Sequence, residues 1–212
     1  MDATLAGGLA LVAVVWAVLF ALPAEGFWRR VVPAGVTIGV YGAVAERHRL
    51  DRLLDVRAAD VALGAVTAVA LYGVFLALRL AVPRVSGALD AQVDHLYRLG
   101  DRAEPRTLPA VLVVVAVSEE LLWRGFVQHR AGFAVALAGY VLVLVWARVP
   151  ALLGAAALAG ACWGGLVAWQ GTLVAAAVCH VLWDLAVMRY LPLRRSHSEL
   201  RHHHARNGPV TP

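Results

Sequence analysis

The run TLPAVLVVVAVSEELLWRGFV, residues 107–127, has the length and apolar content of a membrane-spanning helix but carries polar side chains in its middle. A helix rises about 1.5 Å per residue and needs roughly 20 apolar residues to cross a bilayer. The whole 212-residue chain is similarly apolar, with 61% hydrophobic residues, 16% charged residues and a mean hydropathy of +0.71. Soluble domains contain about 25% charged residues. The sequence therefore excludes a soluble globular domain and predicts an all-α, polytopic transmembrane helix bundle.

Seven apolar runs are candidate spans, and they cover about residues 3–22, 31–45, 58–82, 107–127, 132–147, 151–169 and 172–190. The first run is interpreted as a retained span because no basic residue precedes it and it lacks a small-residue cleavage motif. Residues 46–57 alternate acids and arginines, which indicates a solvated connection. Charges at helical spacing within 83–106 predict a short surface helix. Arg79, near the end of the third run, is expected to extend to the lipid headgroups.

The chain divides into three predicted segments: N-terminal helices with a polar connection (1–104), a core that carries buried polar residues (105–191) and a basic tail (192–212). Arginines are concentrated in the connections on the side of the tail, which predicts a multi-pass cell-membrane protein with a cytoplasmic C-terminus. They lie between apolar runs and not on one face, so no nucleic-acid partner is expected.

Three charged residues near the middle of run 107–127 are unusual, because each costs about 2.5–3.5 kcal/mol on insertion scales. Glu120 and Arg124 are four residues apart, so they share a helix face and can form an ion pair. Glu119 lies about 100° around the helix and is not the natural partner of that arginine. An ion pair that only fixes helix packing needs one glutamate. The second glutamate therefore indicates a general base. The alternative, that these residues form only an ion pair that fixes helix packing, stays open.

His180 and Asp184 repeat this spacing in run 172–190. A carboxylate four residues from an imidazole can fix its tautomer and orientation, whether the ring acts as a base, a hydrogen-bond donor or a metal ligand. A histidine that only packs is the alternative. Four tryptophans of the core segment are expected to face lipid or to pack, namely Trp123, Trp146, Trp163 and Trp183.

The motifs resemble those of a known family. Residues 118–126, Ser-Glu-Glu-Leu-Leu-Trp-Arg-Gly-Phe, resemble the first motif, Glu-Glu-x-x-x-Arg, of the CAAX-prenyl protease and bacteriocin-processing (CPBP) intramembrane proteases. Residues 180–184, His-Val-Leu-Trp-Asp, resemble their last motif, His-x-x-x-Asn/Asp. Residues 160–166 and 171–174 are similar to the family's glycine-rich helix and to the turn before that histidine. The resemblance covers about residues 105–191 and identifies this segment as a CPBP-like intramembrane protease core.

The resemblance implies a membrane peptidase in which a glutamate activates water to hydrolyse a peptide bond. Glu119 is then the base, and Glu120 and Arg124 support it. His180 with Asp184 polarises the carbonyl group or the water. The implied partners are membrane lipids and a peptide or lipidated protein substrate. A catalytically inactive relative that binds a membrane or peptide partner in the same cavity is the alternative.

One family motif differs in this chain. The family carries Phe-x-x-x-His near the end of the next helix, whereas residues 144–148 are Leu-Val-Trp-Ala-Arg. The histidine position thus corresponds to Arg148, which cannot ligate a metal. Catalytic zinc takes three protein ligands, so no metal cofactor is expected, although metal use is unsettled across the family. Arg148 is expected either to stabilise an oxyanion, to pair with a carboxylate of the site, or to extend to the headgroups.

A proton-coupled transporter is a third class of function, because buried glutamate and histidine side chains can form a proton relay. It is disfavoured, since the sequence lacks a pair of Gly/Pro-broken helices in repeated halves.

Overall fold

The computed structural model describes residues 2–100 and 103–190, except for the side chains of 97–100. Nearly all of these residues are helical, and no β-strand occurs among them. The helices are α1 (Ala3–Ala21), α2 (Phe27–Ala45), α3 (Leu50–Leu53), α4 (Ala58–Val85), α5 (Gly87–Gly100), α6 (Leu108–Glu120), α7 (Gln128–Ala131), α8 (Phe133–Val143), α9 (Pro150–Gln170) and α10 (Val174–Tyr190). A π-helical segment, Leu121–Val127, joins α6 to α7, and a 3-10 turn, Leu144–Ala147, extends α8. The predicted basic tail lies outside the described residues.

Three of the described helices are long and apolar enough to cross a membrane, namely α1, α4 and α9. The stretch Phe133–Ala147 is apolar but shorter. Of the other predicted spans, α6 contains Glu119 and Glu120, and α10 has 17 residues. The all-helical prediction is confirmed for the described residues, and the count of seven spans stays a prediction.

Two predictions about the polar segments need correction. Arg79 does not extend to the headgroups, because its buried side chain pairs with Asp90 and, at 2.5 Å, with Asp94. Both acids belong to α5, the predicted surface helix, so the countercharge comes from the protein. The predicted solvated connection 46–57 is partly buried, since it begins with the buried Glu46 and includes the buried Leu53.

Contacts between helix ends define the arrangement of the bundle. At one end, Arg130 after the π-helical segment donates to Glu46 after α2 at 2.7 Å, and it also pairs with Asp2, the N-cap residue of α1. At the opposite end, Gln92 of α5 accepts a hydrogen bond from the backbone N–H of Ala151 at the start of α9, at 3.0 Å. Successive long helices therefore run in alternating directions between two ends.

Glu46 holds the first of these ends together. Besides Arg130, it contacts Arg49 at 3.1 Å and the imidazole of His129 at 3.1 Å. Burial alone raises the pKa of this carboxyl, but the hydrogen bonds from Arg130 and Arg49 outweigh burial and hold the pKa below its usual value. Glu46 is thus a charged link between helices α2 and α7.

One hydrophobic core runs through the bundle. It includes Trp16 and Ile38 from the first predicted segment and Trp123, Phe126 and Trp163 from the second, all almost fully buried. Residues 2–100 and 103–190 therefore pack as one unit, in which the N-terminal helices pack against the helices of the core segment.

Three glycines bring α2 against the helix that carries the glutamate pair. Gly35, Gly39 and Gly42 lie on one face of α2 and are buried. A Cβ atom on Gly39 would lie 2.8 Å from the Cα of Ser118, and one on Gly42 would lie 2.7 Å from the carbonyl oxygen of Leu121. Small residues at this spacing let two membrane helices approach closely. The two contacted residues, Ser118 and Leu121, directly precede and follow the pair Glu119–Glu120 in the sequence.

We expect Gly42→Ala to destabilise the protein by about 1–3 kcal/mol, because the new methyl group meets backbone atoms that cannot rotate away. Gly73→Ala is the matched control, since a Cβ at Gly73 of α4 meets nothing within 4 Å. The midpoint of thermal unfolding in detergent, followed by circular dichroism, measures the difference. Equal midpoints for the two variants would contradict the close approach of α2 and α6.

Candidate active site

The structure brings the five predicted site residues together between α6, the π-helical segment and α10. His180 Nδ1 lies 2.8 Å from Glu120 Oε1, and His180 Nε2 lies 3.9 Å from Glu119 Oε2 and 3.6 Å from Asp184 Oδ2. Arg124 Nη1 lies 3.3 Å from Glu120 Oε1. We refer to Glu119, Glu120, Arg124, His180 and Asp184 as the polar cluster.

The π-helical segment positions Arg124. It begins directly after Glu120, and its wider turns are typical of functional sites in helices. Arg124 reaches back to Glu120 and also donates from Nη2 to the carbonyl oxygen of Gly160 on α9, at 3.3 Å. A Cβ on Gly160 would lie 3.2 Å from Arg124 Nη2, so a glycine there leaves room for the guanidinium group.

His180 is oriented from two sides. Glu120 lies within hydrogen-bond distance of Nδ1, and the predicted partner Asp184 lies on the opposite side of the ring, 3.6 Å from Nε2. A neutral imidazole that donates Nδ1–H to Glu120 presents the lone pair of Nε2 to Glu119 and Asp184. Trp163 of α9 stacks on the imidazole, with 3.5 Å between ring centroids and 17° between planes. Trp163 therefore fixes the plane of the imidazole ring, and Glu120 fixes its rotation within that plane.

The polar cluster is buried most deeply at Glu120 and opens toward Asp184. The side chains of Glu120, Arg124 and His180 are at most 4% exposed, whereas Glu119 is 10% and Asp184 20% exposed. Arg124 is the single permanent cation among five residues that include three carboxylates. One arginine cannot pair with all three carboxylates, so a carboxylate is left available as a general acid or base.

Sequence reasoning missed two residues that contact the polar cluster. Tyr140 of α8 donates its hydroxyl to Glu119 Oε2 at 3.3 Å, and its ring lies under the Arg124 guanidinium, 4.6 Å from ring centroid to Cζ. Trp163 packs, as one of its two expected alternatives stated, but the sequence did not indicate that its packing partner is His180. Tyr140 carries a hydroxyl group inside the apolar run 132–147, and that is the signal by which it could have been found.

Arg148 does not join the polar cluster. It follows the 3-10 turn at the end of α8 in a left-handed conformation (φ 55°), its side chain is exposed, and it forms no ion pair with any described residue. The expectations that Arg148 stabilises an oxyanion or pairs with a site carboxylate are therefore wrong. The residue of α8 that reaches the site is Tyr140, two helical turns earlier.

The family resemblance raises the question whether the cluster can hold a zinc ion. Among the described residues, no three His, Cys, Asp or Glu side chains are grouped in a way that fits a metal ion. The cluster offers one imidazole, and its Nδ1 is already engaged by Glu120. Because catalytic zinc takes three protein ligands, the donor set does not fit a zinc ion.

Comparison with known proteins gives one family match. Neither a curated protein nor a solved structure matches the chain significantly. A family model described as "Rce1-like: Type II CAAX prenyl endopeptidase Rce1-like" matches residues 103–186, which include the whole polar cluster. This match confirms the resemblance predicted from the Glu-Glu-x-x-x-Arg and His-x-x-x-Asp motifs: residues 103–186 are similar to the Rce1-like family of type II CAAX prenyl endopeptidases.

Proposed function

We propose that this protein is an intramembrane endopeptidase that resembles CAAX-processing proteases, and that a glutamate of the polar cluster activates water to attack a peptide bond. The supporting observation is the convergence of Glu119, Glu120 and His180 across two helices. It occurs inside the region that matches the Rce1-like family.

The distances suggest how the water is held. The 3.9 Å gap between Glu119 Oε2 and His180 Nε2 is too long for a direct hydrogen bond and suits a bridging water molecule. In the proposed reaction this water donates one hydrogen to Glu119 and the other to Nε2. Asp184 lies 3.6 Å from Nε2, on the more exposed side of the proposed water position.

Glu119 is the proposed general base. As the water oxygen forms a bond to the carbonyl carbon, Glu119 takes its proton and then gives it to the nitrogen of the leaving amine, and the C–N bond breaks. The immediate products are a carboxylic acid and an amine, and the remaining proton of the acid then passes to the amine through solvent, which gives a carboxylate and an ammonium group. Glu120, neutralised by Arg124, keeps the imidazole fixed through Nδ1 while this happens.

The same proposal includes topology and partners. We propose seven passes through the cell membrane, with the C-terminus in the cytoplasm. Support comes from the alternating helix directions and from the excess of arginines in the connections on that side. The proposed substrate is a peptide or a lipidated protein that approaches from the bilayer at Asp184, where the cluster is most exposed.

An inactive relative would be supported if Arg148 paired with a carboxylate of the polar cluster and neutralised it. The Arg148 side chain is exposed and lies outside the polar cluster, so it gives no such support. No other feature of the described residues favours binding without catalysis over hydrolysis.

The proposal is tested with purified protein in lipid vesicles and two probes: a farnesylated peptide that ends in Cys-aliphatic-aliphatic-X and the same peptide without the farnesyl group. Mass spectrometry identifies released fragments, in the presence and absence of a metal chelator. We expect cleavage that withstands the chelator. Intact probes after long incubation would contradict peptidase activity on this substrate class, and full inhibition by the chelator would contradict the metal-free chemistry.

We expect Arg148→His to change the cleavage rate by less than about twofold, because an exposed residue outside the cluster contributes little to the reaction. Initial rates in the vesicle assay measure the effect. A large gain in activity would show that position 148 takes part in the chemistry after all.

A further inference from the structure

Hydrolysis at the polar cluster requires a hydrogen-bond donor at the carbonyl oxygen of the substrate. When water attacks a carbonyl carbon, negative charge develops on the carbonyl oxygen, and a hydrogen-bond donor placed there supplies a large share of catalysis. In the proposed reaction a neutral His180 donates Nδ1–H to Glu120, 2.8 Å away, so its Nε2 accepts from the water and does not donate to the carbonyl oxygen. Arg124 Nη2 donates to the carbonyl of Gly160, whereas Nη1 forms an ion pair with Glu120 at 3.3 Å without a hydrogen bond, so the guanidinium group lies on the most buried side of the cluster.

Tyr140 supplies a donor next to these groups. Its hydroxyl lies 3.3 Å from Glu119 Oε2, longer than the usual 2.7–2.8 Å of an O–H···O hydrogen bond. A hydrogen bond of this length is weak, so the hydroxyl can turn to a better acceptor at little cost in interaction energy. The acceptor it faces is also the carboxylate proposed to hold the attacking water.

Packing fixes the position of that hydroxyl. The Tyr140 residue is 7% exposed. Its ring meets Trp123 and Trp163 edge to face, at 5.9 and 6.2 Å between centroids, and lies 4.6 Å from the Arg124 guanidinium carbon. A donor held by a rigid aromatic group costs little reorganisation when charge develops nearby.

We propose that Tyr140 is a catalytic residue, and that its hydroxyl donates a hydrogen bond to the scissile carbonyl oxygen as this atom becomes an oxyanion. The phenol keeps its proton throughout. Glu119 holds the water while Tyr140 stabilises the product of its attack. This inference rests on the proposed peptidase function and adds an oxyanion donor to the polar cluster.

Tyr140→Phe removes the hydroxyl and retains the ring, so the contacts with Arg124 and the tryptophans are preserved. In the vesicle assay we expect kcat to fall by about 10²–10³, the usual effect of losing one oxyanion donor, with KM within about twofold. Tyr41→Phe is the matched control. Its hydroxyl donates to the backbone carbonyl of Thr4 at 2.7 Å, away from the cluster, and its loss should leave kcat unchanged.

A second measurement does not depend on turnover. A farnesylated peptide aldehyde, in which the aldehyde replaces the scissile amide, binds as a tetrahedral hydrate that mimics the intermediate. We expect Tyr140→Phe to weaken aldehyde binding by about the same factor by which it lowers kcat. The affinity of the variant for the uncleaved parent peptide should stay unchanged. Thermal unfolding of the variant should match that of the wild type.

The outcomes separate this inference from the proposed function. If the wild type cleaves, Glu119→Gln does not, and Tyr140→Phe keeps full kcat and aldehyde affinity, then the role of Tyr140 is overturned and the peptidase stands. A rise in KM without a fall in kcat also overturns the role of Tyr140, because its hydroxyl then contacts the substrate equally in the ground state and in the transition state. A wild type that neither cleaves the probes nor binds the aldehyde overturns both proposals.

Discussion

Glu119→Gln should abolish peptide cleavage, with kcat lower by about 10²–10⁴, the contribution expected of a positioned general base. The amide keeps the size of the carboxylate and can still accept from Tyr140, but it cannot take a proton from water. KM should change little, because the substitution removes an interaction made in the transition state. Progress curves with the farnesylated probe in vesicles give both constants.

The control for this variant is Glu104→Gln, which changes an exposed acid that precedes α6 within the family-matched region. It should cleave at the wild-type rate. Glu119→Gln should also unfold at the wild-type temperature, since its side chain stays in place. Wild-type cleavage by folded Glu119→Gln would show that another group activates the water.

Arg124→Met should destabilise the folded protein by about 3–5 kcal/mol, because it removes one partner of a buried ion pair. Glu120 is almost fully buried and then has no cation beside it. Replacing both partners, as in Arg124→Met with Glu120→Gln, should restore most of the lost stability, because neither buried charge remains. Unfolding midpoints in detergent, by circular dichroism, compare the wild type, the single variant and the double variant.

The double variant also separates stability from catalysis. It should fold but cleave slowly, since the neutral amide that replaces the Glu120 carboxylate holds the His180 Nδ1–H less strongly. Two outcomes would contradict this role of the ion pair: an Arg124→Met protein as stable as the wild type, or a double variant that is both stable and fully active.

Hydropathy predicted most of the helices because apolar length is a property of each segment alone. The π-helical segment Leu121–Val127 was not predicted, since its hydrogen-bond pattern depends on packing against neighbouring helices. The close contact of Gly42 with Leu121 is such a packing effect, as it needs both helices in place. The burial of Arg79 depends on where α5 folds back, and a hydropathy pattern does not contain that information.

In the site, pairs within one helix were predictable and pairs between helices were not. Glu120 and Arg124 approach each other as their spacing predicts. Spacing within α10 predicted the approach of Asp184 to His180, which occurs at Nε2, but the partner of His180 Nδ1 is on another helix and was not predicted. Motif alignment pointed to Arg148 on α8, but the helix ends in a 3-10 turn that leaves Arg148 exposed, and Tyr140 reaches the cluster instead.

The most direct test asks where the oxygen of the new carboxylate comes from. A single turnover in water enriched in oxygen-18, followed by mass spectrometry of the released fragment and of the peptide that contains Glu119, answers this. If Glu119 activates water, the fragment carries one heavy oxygen from the first turnover and Glu119 carries none. An unlabelled fragment together with a labelled Glu119 would mean that the glutamate itself attacks the substrate, and would contradict the water-activation mechanism.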